Sequence, residues 1–280
     1  MICMTLDVET ILQASRPMIL RHTVAIVEEL RGQFAIGGSG VLFQVGDAQF
    51  LFTAAHVLKD APDAPHINRL IGGMGGDAIP LEAEAHVTDV ASNDVAVVEV
   101  PSKVASELLA RGKSFLRSSH LELRDDDPFE QEAFFAVCGF PEKDARTSYG
   151  ESTSMDVTIY VHGADAAPHQ PPPIRAFDPK RHLALVYERG MVNPKTDYVV
   201  KHPRGMSGGG IWRIGYPLRD GDRWTTDNVR LMAIQHTYWE ETRSVVGTRV
   251  DVCHHVVQKH YPALRPLLAL SMRGTPGTYP

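Results

Sequence analysis

A chain of 280 residues has room for one large domain or two small ones, and 43% apolar with 22% charged residues is the balance of an ordinary soluble globular protein. A formal net charge of −6, from 28 basic and 34 acidic side chains, excludes the basic footprint of a nucleic-acid binder. No stretch approaches the roughly 18–20 consecutive apolar residues of a membrane-spanning helix.

Three cysteines, Cys3, Cys138 and Cys253, are odd in number and far apart, so they make no disulfide framework. The opening MICMTLDVETILQ carries acids where a secretory leader would be apolar. Both features point to the cytoplasm.

The first expected element is a short amphipathic helix over residues 6–14, built on Leu6, Ile11 and Leu12. Thr23–Glu29 alternates as a strand. Ala35–Val45 and Ala48–Ala54 follow, joined by Gly46-Asp47, a two-residue hairpin turn. Gly37-Gly38-Ser39-Gly40 in the first of these runs predicts a bulge or sharp bend. The second run ends at Thr53-Ala54-Ala55-His56-Val57, a strand leading into one helical turn. Residues 61–80 are rich in Gly, Pro and Asp and read as a surface loop. A strand over about 81–88 precedes Ser92-Asn93-Asp94, and Val95–Val100 is a buried-strand run. Val104–Arg111 reads as a short helix, and the polar residues 119–131 as a break between two halves.

The second half starts with Ala133–Gly139. Strands at about 155–162 and 183–187 flank the proline-rich loop Ala167–Pro179, which must be exposed and extended. Tyr198–Lys201 precedes Gly205-Met206-Ser207-Gly208-Gly209-Gly210. Ile211–Ile214, Val229–Trp239 and Ser244–Val250 are further strands. Asp251 caps a closing helix, Val252–Tyr261, ended by Pro262, and the last residues look frayed. Many short strands with turn signals and little helix make an all-β protein.

Three residues carry chemistry. Ser207 lies between glycines that let backbone approach its hydroxyl from both sides, as acyl transfer requires. His56 and Asp94 sit at strand ends, where side chains can meet at a cleft. A serine nucleophile needs a base in hydrogen-bond reach and a carboxylate to hold the imidazole tautomer. Singly, each residue has a plainer reading: core histidine, strand cap, turn serine. Asp89 is a nearby rival to Asp94.

Thr53-Ala54-Ala55-His56, Asp94-Val95-Ala96-Val97 and Gly205-Met206-Ser207-Gly208-Gly209 resemble the three signatures of the trypsin-like (chymotrypsin-fold) serine peptidases, in the same order. Gly38-Ser39-Gly40-Val41 is similar to a segment of bacterial trypsin-like and HtrA-type members. The resemblance covers roughly residues 23–262. It implies two six-stranded antiparallel β-barrels with a short N-terminal helix and a C-terminal helix. The expected division is an appendage at 1–22, a first barrel at 23–118, a linker at 119–132, a second barrel at 133–262 and a tail at 263–280. It also implies that Ser207 attacks the scissile carbonyl, that His56 is the base, that Asp94 orients His56, and that the N–H groups of Gly205 and Ser207 form the oxyanion hole. A peptide substrate would add as an extended strand beside His236-Thr237-Tyr238. No cofactor or metal is implied; the partners are a protein or peptide substrate and a regulatory protein, with no nucleic acid and no membrane.

The chain departs from that family in three ways. Met206 stands where secreted trypsins carry the aspartate that receives a freed N-terminus, so control must come from elsewhere. Val57 and the unpaired cysteines remove the secreted family's disulfides. The residues after the closing helix leave no room for the peptide-binding domain that HtrA proteases carry downstream.

At the base of the primary pocket the resemblance implies Lys201, with His202 beside it and Gln235 and His236 on the facing strand. Such a lining disfavours a basic side chain before the cut, unless Lys201 points to solvent and the pocket is shallow. His254, His255 and His260 do not share one helical face and read as surface histidines, not a metal site. Asp125–Asp127 reads as a solvated loop. An α/β-hydrolase also has Gly-x-Ser-x-Gly, but needs a helix after the serine, and Gly208-Gly209-Gly210 starts one poorly. A catalytically silent or latent protein of the same fold, acting as a peptide- or partner-binding module, is the alternative from another class.

Overall fold

The computed structural model describes residues 8–30, 33–59, 69–72, 78–88, 93–123, 134–142, 146–148, 154–156, 160–164, 177–187, 192–193, 198–199, 202–215 and 224–273. Helix α1 (Val8–His22) comes first. Then follow β1 (Thr23–Leu30), β2 (Gln33–Val45), β3 (Ala48–Ala54), α2 (Ala55–Lys59), β4 (Arg69–Gly72), β5 (Ile79–Leu81), β6 (Ala85–Val87), β7 (Val95–Glu99), α3 (Ser102–Ala110) and β8 (Leu116–Arg117). The second half holds β9 (Phe134–Gly139), β10 (Arg146–Ser148), β11 (Ser154–Asp156), β12 (Tyr160–Ala164), β13 (His182–Val186), β14 (Val192–Asn193), β15 (Tyr198–Val199), β16 (Gly210–Gly215), β17 (Arg230–Trp239) and β18 (Ser244–Arg249). Helices α4 (Val250–His260) and α5 (Arg265–Arg273) close it.

Two sheets dominate. The first runs β5-β4-β1-β2-β3-β7-β6, with β8 added parallel to β2, and the second runs β12-β9-β16-β17-β18-β13. All other neighbours in both pair antiparallel. This is a chymotrypsin-like arrangement. Among the described residues the second sheet has the expected six strands and the first has eight, with the short β8 joined parallel to β2.

The glycine run in β2 does bend the sheet. Ile26 pairs with Gly38 and Val27 with Ile36, so Gly37 is the extra residue of a bulge. Residues 61–80 are not wholly loop. Residues Ala25, Ile26 and Val27 of β1 bind β4, and β4 binds β5. The edge of β1 supplies backbone partners that a composition of Gly, Pro and Asp cannot foretell. Asp89, Asp125–Asp127 and residues 167–176 of the proline-rich loop lie outside the described residues.

One apolar cluster crosses both halves. It joins Phe43, Phe50 and Phe52 of the first sheet to Ala136, Trp212 and Leu231 of the second. Helix α1 adds Ile11 and Ile19, both buried, from the face it shares with the buried Ser15. The helix is longer than its sequence pattern foretells, because Lys113 holds its C-terminal end. This buried ammonium donates to the carbonyls of Leu20 (3.1 Å) and Thr23 (2.7 Å). Burial lowers it from 10.5 to about 8.

At the other terminus the chain is not frayed up to Arg273. Helix α5 buries Leu268 in the shared cluster. Arg249, rather than Asp251, stands at the N-cap of α4, and His254 is buried, not on the surface. Cys138 and Cys253 are free thiols in the core.

His22 gives the fold an acid sensitivity. Its Nδ1 donates to the Ser114 carbonyl at 2.8 Å, and burial pushes it from 6.5 down to about 4. The unfolded chain then binds a proton that the folded chain refuses. Stability is complete above about pH 6.5 and falls as pH drops toward 4, by at most about 3 kcal/mol from this group. Urea denaturation at pH 7.5 and 4.5 should show the loss, and His22→Gln should flatten part of the slope. An equal slope in the variant would remove His22 as its source.

Candidate active site

Register brings the first two residues together. Ala54, the last residue of β3, pairs with Val95, the first of β7. His56, the second residue of α2, therefore lies beside Asp94. The Ala55 N–H donates to the Asp94 carbonyl (3.1 Å) and the His56 N–H to Asp94 Oδ1 (2.9 Å). Asp94 Oδ2 stands 2.7 Å from His56 Nδ1. Asp94 holds this pose at φ 47°, a left-handed conformation that aspartate tolerates better than most residues. Its carboxylate is buried, whereas the His56 side chain is 39% exposed. An ionised carboxylate only accepts, so neutral His56 carries its proton on Nδ1 and its lone pair on Nε2.

Ser207 comes from the other half, in a turn braced by backbone hydrogen bonds. Met206 N–H donates to Pro203 O (2.9 Å) and Gly209 N–H to Met206 O (2.9 Å). Gly208 N–H reaches Gln235 O (2.6 Å), and Gln235 N–H returns to Gly209 O (2.8 Å), fixing the turn on β17. Gly208 has φ 87°, and a Cβ there would lie 2.0 Å from Ser39 O. Ser39 staples the turn to the first sheet. Its N–H binds Ser207 O (2.7 Å), its hydroxyl donates to Gly205 O (3.0 Å), and the same hydroxyl accepts from Phe140 N–H (2.9 Å). The Ser207 hydroxyl donates to the His236 carbonyl at 3.4 Å.

The peptide joining Arg204 to Gly205 has a defined direction. Glu142 N–H binds the Arg204 carbonyl (2.9 Å), and the side chains repeat the contact, Arg204 Nε to Glu142 Oε2 at 2.6 Å. In a trans peptide the N–H points opposite to the C=O. The Gly205 N–H is thus turned away from Glu142. Met206, fully buried, anchors the loop through apolar contacts, with the Tyr187 hydroxyl 3.8 Å from its sulfur.

The expected specificity residues divide. Lys201 lies outside the described residues. His202 stacks edge-on with Tyr238 (5.8 Å), and its Nδ1 accepts from Arg204 N–H (3.1 Å). Tyr238 also meets Tyr187 (5.9 Å). Gln235 is buried at 1% exposure, with its backbone committed to the serine turn. His236 is the extra residue of a bulge, since Gln235 pairs with Gly247 and Thr237 with Val246. The bulge sends its carbonyl to Ser207 and its ring toward Asp94, with Nδ1 3.9 Å from Oδ2.

Sequence reasoning singled out the segment around Ser39 but not the staple, and it missed Glu142. A serine flanked by glycines beside a bulge was the available signal for the first; an isolated glutamate after Pro141 offered none.

Among solved structures, the inactivated protease paralogue S-I1 of the scabies mite aligns with 87% of this chain and 96% of its own at a TM-score of 0.51 and 12% identity. The fold is that of the chymotrypsin-like proteases. The inactive form of the Rv3671c protease gives 0.48 at 15% identity over 90% of this chain and 95% of that one. The apo MamO protease domain of Magnetospirillum magneticum gives 0.46 at 12% over 85% and 96%. No family model and no curated protein matches. His56 and Asp94 stand just after β3 and just before β7 of the first sheet, and the Ser207 turn leads into β16 of the second.

Proposed function

We propose that the chain is a serine endopeptidase of the trypsin-like kind, working through His56, Asp94 and Ser207. The observation that carries this reading is the two-pronged hold of Asp94 on His56, one oxygen on the backbone N–H and the other on Nδ1. It leaves the Nε2 lone pair to take a proton. Ser207 Oγ attacks the scissile carbonyl as its proton passes to Nε2. The oxyanion is met by the N–H groups of Gly205 and Ser207. His56 returns the proton to the leaving amine, and water, activated the same way, frees the acyl group. The substrate adds as a strand beside His236-Thr237-Tyr238. Lys201 and His202, with Gln235 and His236 on the facing strand, favour acidic or polar side chains before the cut. The proposed compartment is the cytoplasm, in keeping with the free thiols of Cys138 and Cys253. Among the described residues no helix is long and apolar enough to cross a membrane.

A second reading, an enzyme latent until a partner binds, is favoured by one contact. The Ser207 hydroxyl rests on the His236 carbonyl and would have to swing to His56. Met206 also replaces the zymogen aspartate, so a freed N-terminus cannot be the switch.

A fluorophosphonate probe decides between them. Labelling of the wild type, absent in Ser207→Ala and His56→Ala, is expected for the active enzyme. No labelling of a folded wild type supports the latent or silent reading. Labelling that survives Ser207→Ala would remove Ser207 as the nucleophile.

A further inference from the structure

The peptide joining Arg204 to Gly205 is the link of the serine turn that is held from outside. Its neighbours on either side are tied down within the turn or to the first sheet. Arg204 N–H donates to His202 Nδ1 (3.1 Å) and Met206 N–H to Pro203 O (2.9 Å). Gly205 O accepts from the Ser39 hydroxyl (3.0 Å). Between them, the Arg204 carbonyl accepts from Glu142 N–H at 2.9 Å. The Gly205 N–H has no hydrogen-bond partner among the described residues.

A peptide between two fixed neighbours can turn about the axis through its flanking Cα atoms. Such a turn would point the Arg204 carbonyl where the Gly205 N–H now points, and would carry φ of Gly205 from 87° to the negative side. Glycine adopts both signs about equally, so local backbone preference does not choose between the two orientations. No larger residue fits here, since a Cβ at Gly205 would lie 2.6 Å from Glu142 N and 2.7 Å from Phe140 O. The next residue, Met206, is fully buried and offers no charge to anchor the turn. The choice of orientation therefore falls to Glu142 and Arg204.

Their side chains double the backbone bond, with Arg204 Nε 2.6 Å from Glu142 Oε2. A charge-assisted bond of this kind is stronger than a neutral one. The Arg204 side chain is 75% exposed and that of Glu142 38%. The pair is thus open to screening by salt and adds little to the stability of the fold as a whole. A small bias is enough to set the ratio of two orientations of one peptide.

We propose that Glu142 and Arg204 are positioning residues for the oxyanion hole: their ion pair latches the Arg204–Gly205 peptide so that the Gly205 N–H faces the reacting carbonyl oxygen. This rests on the serine-peptidase reading above. The serine turn is thereby anchored by an exposed ion pair rather than by a buried charge.

A fluorophosphonate reads the latch, because its phosphoryl oxygen takes the place of the oxyanion. Glu142→Gln and Arg204→Gln each remove the ion pair and leave the backbone bond. Each should lower the limiting rate of labelling about three- to fivefold, with the half-saturating probe concentration unchanged. Both substitutions together should lose no more than either alone, and the exchanged pair, Glu142→Arg with Arg204→Glu, should recover most of the rate. Salt at about 1 M should slow the wild type by a similar factor and leave Glu142→Gln unaffected. Single variants as fast as the wild type would overturn the proposal. So would losses that multiply in the double variant, or an equal salt effect in the wild type and Glu142→Gln. Deuterium exchange of the Glu142 amide reads the latch without chemistry: Arg204→Gln should speed it, and an unchanged rate would overturn the proposal. An unlabelled wild type would count against the serine-peptidase reading, and the exchange rate would then decide the latch.

Discussion

Asp94→Asn is expected to slow acylation of Ser207 by about four orders of magnitude at neutral pH while the chain stays folded. The reason is a tautomer. The His56 N–H must keep an oxygen acceptor, so the amide oxygen takes the Oδ1 position. The amide NH2 then faces Nδ1, where Oδ2 stood at 2.7 Å. A donor there forces the imidazole proton to Nε2, the nitrogen that must accept from Ser207. The backbone has little reason to object, since asparagine accepts the φ of 47° at this site as readily as aspartate does. The stability change should stay near ~1 kcal/mol. The rate of fluorophosphonate labelling, with urea denaturation as the control, reads both quantities. A loss under about tenfold would show that Asp94 does not set the tautomer.

Gly208→Ala should cost more than about 3 kcal/mol and abolish labelling. Its Cβ would stand 2.0 Å from Ser39 O, 2.1 Å from Thr53 Oγ1 and 3.0 Å from Ala54 N. None of these can retreat cheaply. Thr53 Oγ1 donates to Ser39 O (2.7 Å), and Ser39 N–H holds Ser207 O (2.7 Å). The φ of 87° adds strain to the clash. Gly112→Ala is the matched control. Its φ is 79° with nothing within 4 Å of the new Cβ, so it should cost only the left-handed penalty, about 1–2 kcal/mol. Equal losses at the two positions would mean that φ, not the contact with Ser39, governs the serine turn.

The sequence by itself determined the parts that are encoded over a few neighbours. The hairpin at Gly46-Asp47, the bulge in the glycine run, the core strands β3, β7 and β16, and the candidates His56, Asp94 and Ser207 all rest on local turn chemistry or on short apolar runs. Tertiary structure decided what depends on partners far along the chain. Strands β4 and β5 form because β1 offers an unpaired edge, and α5 is ordered because Leu268 finds the shared core. His254 points inward although its spacing with His255 and His260 suggested a surface. The sequence places His236 on the strand facing the primary pocket; the bulge that brings its ring to Asp94 is set by the tertiary structure, since no window of sequence contains both residues. Ser39 carries the same lesson, since its partners lie at 205 and 207. Local sequence fixes which backbone shapes are cheap; only closing the long loops between Ser39, Asp94 and His236 decides which side chains meet.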